Sequence, residues 1–145
     1  MALWAAGAQL RAFFAVVVLA VPGITAAADG EAPPGVTVIQ AEDLVRLARD
    51  HADLILIDSR TPVDREIGYI EDSISLPDDQ TNCNTLSRLS NRHDQPLMFY
   101  CNGDKCNRSR DAVQKARVCG YSKLYWLKGG YQEWREKRFP VLRSH

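Results

Sequence analysis

Two runs of four residues, Leu54-Ile-Leu-Ile57 and Leu97-Met-Phe-Tyr100, are apolar at every position. A strand with one wet face alternates apolar and polar residues, so a run without alternation belongs to a strand covered on both faces. The segments around these runs have the spacing of helices that could supply that cover. Ala41 to His51 puts Leu44, Leu47 and Ala48 on one face, with Glu42 and Asp43 in the first turn and Arg49 near the end, as the helix dipole favours. Arg108 to Cys119 puts Ala112, Ala116 and Cys119 on one face and stops at Gly120.

The rest of the chain continues the alternation. Val36 to Ile39 reads as an edge strand, Ile74 to Leu76 as a short strand closed by Pro77, and Lys123 to Trp126 as a last strand. Pro62 opens a short helical turn through Glu66 that Gly68 ends; Thr81 to Asn91 and Tyr131 to Lys137 read as helices. Together these predict an α/β domain with a mostly parallel sheet. Ligands in such sheets sit beyond the carboxyl ends of central strands. Cys101 is the first residue beyond the second apolar run.

The 145 residues suffice for one domain. Eighteen cations balance eighteen acids, and no basic face stands out, so no nucleic-acid partner is expected. Residues 1–28 differ from the rest. Arg11 precedes an apolar stretch, Ala12 to Val21, and a small-residue run ends at Ala28. That layout is a secretory signal, too short in its apolar part for the roughly 20 residues that span a bilayer. Cleavage is expected after Ala28 or a residue or two earlier, leaving a flexible leader over 29–35 before the domain at 36–142. No twin-arginine pair is present, so Sec-type export to the periplasm or beyond is expected. The alternative is an uncleaved anchor, the one case that ties the chain to a membrane.

Export changes how Cys83, Cys101, Cys106 and Cys119 read. An oxidising compartment permits disulfides, and four cysteines allow three full pairings, but a domain of this size can hold a core without them. Cys119, in line with Ala112 and Ala116, is expected to be a buried small hydrophobe. Cys83 has polar flanks and reads as a helix-start residue near the pocket or a free surface thiol.

The stretch Cys101-Asn-Gly-Asp-Lys-Cys-Asn-Arg108 carries the chemistry. Its Cys-x4-Cys spacing is not a usual zinc pattern, and His51, His93 and His145 are scattered, so no metal or other cofactor is expected. A nucleophilic thiolate suits it better. The loop ends where a helix begins, so free N–H groups face it; Lys105 and Arg108 add charge, and Gly103 permits a tight cradle. Such surroundings lower a thiol pKa from about 8.5 and also bind an anion.

At these residues the sequence resembles the rhodanese-like family of single-domain sulfurtransferases, from about Val38 to Val141. The strand ending Asp58-Ser-Arg60, the segment Gly68-Tyr-Ile-Glu-Asp-Ser-Ile-Ser-Leu-Pro77, the pairs Tyr100-Cys101 and Arg108-Ser109, and Leu127-Lys-Gly-Gly130-Tyr-Gln-Glu-Trp134 are similar to that family's ordered motifs. The resemblance implies a three-layer α/β/α domain with a mostly parallel five-stranded sheet. It implies that Cys101 takes sulfane sulfur from thiosulfate or a related donor as a persulfide and passes it to cyanide or a thiol. Asn102, Gly103, Asp104, Lys105, Cys106, Asn107 and Arg108 would bind the substrate. Asp58 and Arg60 are expected as structural support, and Cys106 as a candidate resolving thiol. A redox or sulfur-relay protein is a candidate partner.

The chain departs from the family pattern in three places. Tyr69 stands at the usual histidine, Asp72-Ser73 at the usual Gly-Ala, and Arg108 lies seven residues after Cys101, where five is common and six marks the fold's phosphatases. Alternatives are therefore a phosphatase or arsenate reductase, a Cys101/Cys106 thiol–disulfide redox protein, and a non-catalytic persulfide-presenting module.

Overall fold

The computed structural model describes residues 30–143, so the expected signal over 1–28 and the first leader residue lie outside the described residues. Five strands, β1 (Val36–Ile39), β2 (Ile55–Asp58), β4 (Ile74–Ser75), β5 (Leu97–Tyr100) and β6 (Leu124–Leu127), form one sheet in the order β1-β6-β5-β2-β4. Every neighbouring pair in it is parallel. The strand carrying Cys101 at its end is thus the middle one. Helices α1 (Ala41–Asp50), α2 (Pro62–Ile67), α3 (Cys83–Leu89), α4 (Arg108–Val118) and α5 (Gly130–Glu136) connect or follow the strands.

The unbroken apolar runs are explained by two cores. Met98 and Tyr100 enter one, with Leu44 of α1 and Tyr131 and Trp134 of α5. Leu97 and Phe99 enter the other, with Leu86 of α3 and Ala112, Val113 and Ala116 of α4. The strand period of two sends successive side chains to opposite layers, and each layer is covered, as the α/β/α reading requires. A side chain such as Phe99, with no exposed surface, contributes about 1.5–3 kcal/mol to folding.

Three features differ from expectation. A two-stranded antiparallel sheet pairs β3 (Tyr69–Ile70) with β7 (Val141–Leu142). Two residues carry no periodicity, so neither strand is visible in the sequence. Helix α3 is shorter than Thr81 to Asn91, because Asn82 accepts the amides of Asn84 and Thr85 as the cap and fixes the start at Cys83, two residues later. Cys119 is no apolar filler: it forms a disulfide with Cys83, Cα–Cα 5.3 Å. Beyond the last turn of α4 the buried stripe leaves the core, so Cys119 is only partly buried and meets the start of α3. Cys83 is the helix-start residue that one reading made it, the first of α3, but its sulfur is bonded to Cys119 and is neither a pocket thiol nor a free surface one.

The departures at 72 and 73 have local reasons. Asp72 has φ 61°, a conformation that glycine adopts freely and that aspartate tolerates better than most residues. Ser73 hydrogen-bonds Ile70 O at 2.6 Å and Tyr100 Oη at 3.0 Å.

Candidate functional site

Beneath the loop lies a buried polar platform. Asp58 accepts Arg60 Nε at 2.9 Å and Nη2 at 2.7 Å, with both side chains 1% exposed. The same carboxylate takes Arg65 Nη1 at 3.1 Å and Tyr100 Oη at 2.8 Å. Arg60 also donates to Gly68 O at 2.8 Å, and its guanidinium lies 4.3 Å from the Tyr131 ring centre. Burial pushes the Tyr100 phenol up, and Asp58 beside it adds to this, so Tyr100 stays a neutral donor. Asp58 and Arg60 therefore lock the residue before Cys101 onto α2 and its flanking turn. At the position of the family histidine, Tyr69 stacks under Arg65, 3.8 Å from guanidinium to ring centre.

The loop is clamped from the other side by α5. Tyr131 N donates to Cys101 O and Gln132 N to Asn102 O, each at 2.8 Å. These amides belong to the first turn of α5, where no helical carbonyl is available to them. Gly130 has φ 58°, and a Cβ there would stand 2.4 Å from Cys101 O and 2.9 Å from Gly103 N. Such a close approach between backbones requires glycine. The chain then turns, with Cys106 N on Gly103 O at 2.9 Å, and enters α4 at Asn107, whose side chain makes no cap. The first amides of α4 remain free to face the loop.

Two free thiols occupy this loop. Cys101 is 1% exposed. Its sulfur donates to Cys106 O at 3.0 Å and receives Ser109 Oγ at 3.1 Å; Ser109 in turn accepts Trp126 Nε1 at 2.9 Å. Cys106 is half-buried and lines a cavity of about 340 Å³ with Asn102, Gly103, Asp104, Lys105 and Gln132. The two thiols are within hydrogen-bonding reach, so a thiolate on one is stabilised by the proton on the other. Donation from Cys101 lowers the Cys106 pKa most; burial opposes this, while the amides of Asn102 and Arg108 and the Arg108 charge bring it to about 6. Cys101 is pushed up by its Cys106 neighbour and by burial, against the partial relief of Ser109. Backbone amides thus serve both sulfurs, those of Asn102 and Arg108 at Cys106 and that of Ser109 at Cys101.

The cations are less free than the sequence implied. Arg108 Nη1 lies 3.2 Å from Asp64 Oδ2 and Nε 3.8 Å from Asp78 Oδ1. Burial raises the pKa of Asp64, but hydrogen bonds from Thr61 and Asn102 and the charge of Arg108 bring it below the usual range, so it stays an anion. Lys105, Asp104 and Asn107 are exposed, Asn102 and Arg108 half-buried, Gly103 buried. Asp64 is a site residue that sequence reasoning passed over, and Ser109 and Gln132 entered it only as parts of motifs, with no role at the site. Ser109 had a signal: with Ala112, Val113 and Ala116 it continues the buried stripe of α4, so its hydroxyl had to find a partner inside. Among the described residues no group of three or more His, Cys, Asp or Glu could hold a metal ion.

Comparison with known proteins places this geometry in a known setting. A model of the rhodanese-like domain matches residues 40–137. The protein slr1261 of Synechocystis sp. is 29% identical over 96 residues, 66% of this chain, and the chain spans only 51% of that relative's length. A sulfurtransferase of Allochromatium vinosum is 27% identical over 107 residues, 74% of this chain and 95% of its own. The crystal structure of the BH2092 protein of Bacillus halodurans superposes with a TM-score of 0.65 at 25% identity, over 74% of this chain and 77% of that one.

Proposed function

Starting from the fact that this chain belongs to the rhodanese-like domain family, we propose that it is an exported single-domain sulfurtransferase. It moves sulfane sulfur from thiosulfate or a related donor, through a persulfide in the loop Cys101 to Arg108, to cyanide or a thiol. The observation that carries this reading is the pair of free thiols, Cys101 and Cys106, in one loop at the end of the central strand and the start of α4. A thiolate there is stabilised by backbone amides and Arg108, which is what attack on a sulfane sulfur requires. The Allochromatium sulfurtransferase, aligned over nearly its whole length, supports the reaction class.

Export is supported by the Cys83–Cys119 disulfide, since such bonds persist in oxidising compartments. A phosphatase needs an arginine free for the phosphoryl oxygens, whereas Arg108 is held by Asp64 and Asp78. The small-molecule donor and acceptor meet at the cavity beside Cys106; a dithiol redox protein is the natural macromolecular partner.

The test is hydrosulfide release from thiosulfate by the chain supplied with a dithiol reductant. Turnover above the buffer blank is expected from the wild type and none from the variant Cys101→Ser/Cys106→Ser. Failure to take sulfur from thiosulfate or from inorganic polysulfide, with turnover of an aryl phosphate instead, would overturn the reading.

A further inference from the structure

Discharge of a persulfide as hydrosulfide requires attack on its inner sulfur, because only then does the outer sulfur leave with the bonding pair. With the persulfide on Cys101, the inner sulfur is Cys101 Sγ. That residue is 1% exposed beneath the loop, so a thiol of another molecule meets the outer sulfur first. Among the described residues the other free thiol is Cys106. The loop folds it back over Cys101: Cys106 N donates to Gly103 O at 2.9 Å, and Cys106 O lies 3.0 Å from Cys101 Sγ. The two thiols are within hydrogen-bonding reach of each other. We infer that Cys106 is the resolving thiol of this loop: it attacks the Cys101 persulfide, expels hydrosulfide and leaves a Cys101–Cys106 disulfide. This rests on the sulfurtransferase reading above and keeps the carrier at Cys101.

Loading comes first. The Cys101 thiol gives its proton to solvent. The thiolate, which receives the Ser109 hydroxyl at 3.1 Å and the Ser109 amide, attacks the outer sulfur of thiosulfate. The donor's sulfur–sulfur bond breaks and sulfite leaves with the electron pair. The Cys106 sulfur then attacks Cys101 Sγ. The bond from Sγ to the outer sulfur breaks, and the outer sulfur takes its electron pair and the Cys106 proton and departs as hydrosulfide. Over both steps the sulfane sulfur gains two electrons and each protein sulfur loses one. An external dithiol reopens the disulfide before the next cycle.

The surroundings of the two thiols suit these roles. Cys101 is fixed, because Tyr131 N of α5 holds its carbonyl at 2.8 Å. Cys106 is half-buried and lines the cavity of about 340 Å³, so hydrosulfide has a way out and a reductant has a way in. The amides of Asn102 and Arg108 and the Arg108 charge favour its thiolate, the form that attacks. Attack within one loop also avoids the cost of bringing in a second molecule. The disulfide consumes both thiols, so the chain without reductant performs one turnover and stops.

The decisive experiment takes the chain with Cys101 and Cys106 reduced and the reductant removed, and mixes it with thiosulfate. Samples are quenched with an alkylating agent at successive times, hydrosulfide is assayed, and sulfur is mapped by peptide mass. The wild type should show early persulfide on Cys101, then one equivalent of hydrosulfide and a Cys101–Cys106 disulfide. Cys106→Ser should hold the persulfide on Cys101 and release hydrosulfide at least tenfold more slowly until a dithiol is added. Hydrosulfide release from Cys106→Ser at the wild-type rate overturns the inference and leaves the sulfurtransferase reading intact. Should Cys106→Ser fail to fold, the wild-type time course decides: persulfide that stays on Cys101 while Cys106 remains open to alkylation overturns the inference in the same way. If neither thiosulfate nor inorganic polysulfide loads any form of the chain, both fall together.

Discussion

Ser109 donates its hydroxyl to Cys101 Sγ across 3.1 Å while the same oxygen receives Trp126 Nε1 at 2.9 Å. All three residues are buried, so the hydroxyl couples the indole of β6 to the thiol beyond β5 with no water between. Ser109→Ala removes both bonds and leaves the Trp126 N–H unpaired in the core. That costs about 1–3 kcal/mol of stability, readable as a lower urea midpoint at unchanged slope. Kinetically, sulfur loading should slow at temperatures where the variant is fully folded, because the Cys101 sulfur loses a donor that steadies its charge. Loading at the wild-type rate in the folded variant would show that the hydroxyl serves the core and not the thiol.

The paired thiols also set a pH dependence. A thiol whose folded pKa is depressed adds stability that is present above its unfolded pKa and lost as pH falls through the folded one. Between about pH 6, where folded Cys106 titrates, and about pH 8.5, where an unfolded cysteine does, the unfolded chain holds one more proton. Stability from this pair therefore rises with pH across that window. Above about pH 8.5 the unfolded chain loses both protons while folded Cys101 keeps its own, so the trend reverses. Denaturation midpoints of the reduced chain at about pH 5.5, 7 and 8.5 should show this rise, and the difference between wild type and Cys106→Ser isolates it from the carboxylates. Alkylation of Cys106 should follow the same ionisation near 6. A midpoint near 8.5 would mean that the amides of Asn102 and Arg108 do not stabilise its thiolate.

What the sequence made legible follows from where the information is local. Leu97 to Tyr100 has no polar position, so a doubly covered strand was readable without any partner in view. The Cys101 to Arg108 loop was readable as a site because it joins such a strand to a helix start. The arrangement inside the loop was not. How the amides are shared between the two sulfurs depends on the turn that Cys106 N makes to Gly103 O, and on α5 amides about thirty residues away that fix the carbonyls of Cys101 and Asn102. Arg108 looked like a free cation because Asp64 and Asp78 are distant in sequence and arrive only with the fold. The Cys83–Cys119 bridge was hidden likewise, since face periodicity explains Cys119 well enough until α3 is seen beside it.

Gly130 is where the loop is most exposed to a single added carbon. Gly130→Ala places a methyl group 2.4 Å from Cys101 O at φ 58°, so both the backbone conformation and the contact are unfavourable. A loss of about 1–3 kcal/mol is expected from the conformation alone, with more from the displaced carbonyl. Because Tyr131 N and Gln132 N hold the first two loop carbonyls, sulfur loading should fall at least tenfold even at temperatures where the variant is fully folded. Thermal unfolding and loading assays on the same preparation separate the two effects. Normal loading in a destabilised variant would show that the loop does not depend on α5.

The Cys83–Cys119 bridge gives the opposite pattern. It closes a sequence separation of 36 residues between the start of α3 and the residue after α4. In the chain-entropy account a loop of this size contributes about 4 kcal/mol by restricting the unfolded chain. The bridge lies at the far end of the 11-residue α4 from Cys106, a helix length of about 16 Å at 1.5 Å per residue. Cys83→Ala/Cys119→Ala should therefore lower the denaturation midpoint markedly, yet load and release sulfur at the wild-type rate per folded molecule. A strong reductant should lower the wild-type midpoint toward that of the double variant and leave the variant unmoved, apart from any part carried by Cys101 and Cys106. If the double variant lost sulfur transfer while folded, the bridge would belong to the catalytic cycle, and the separation of a structural cysteine pair from a reactive one would fail.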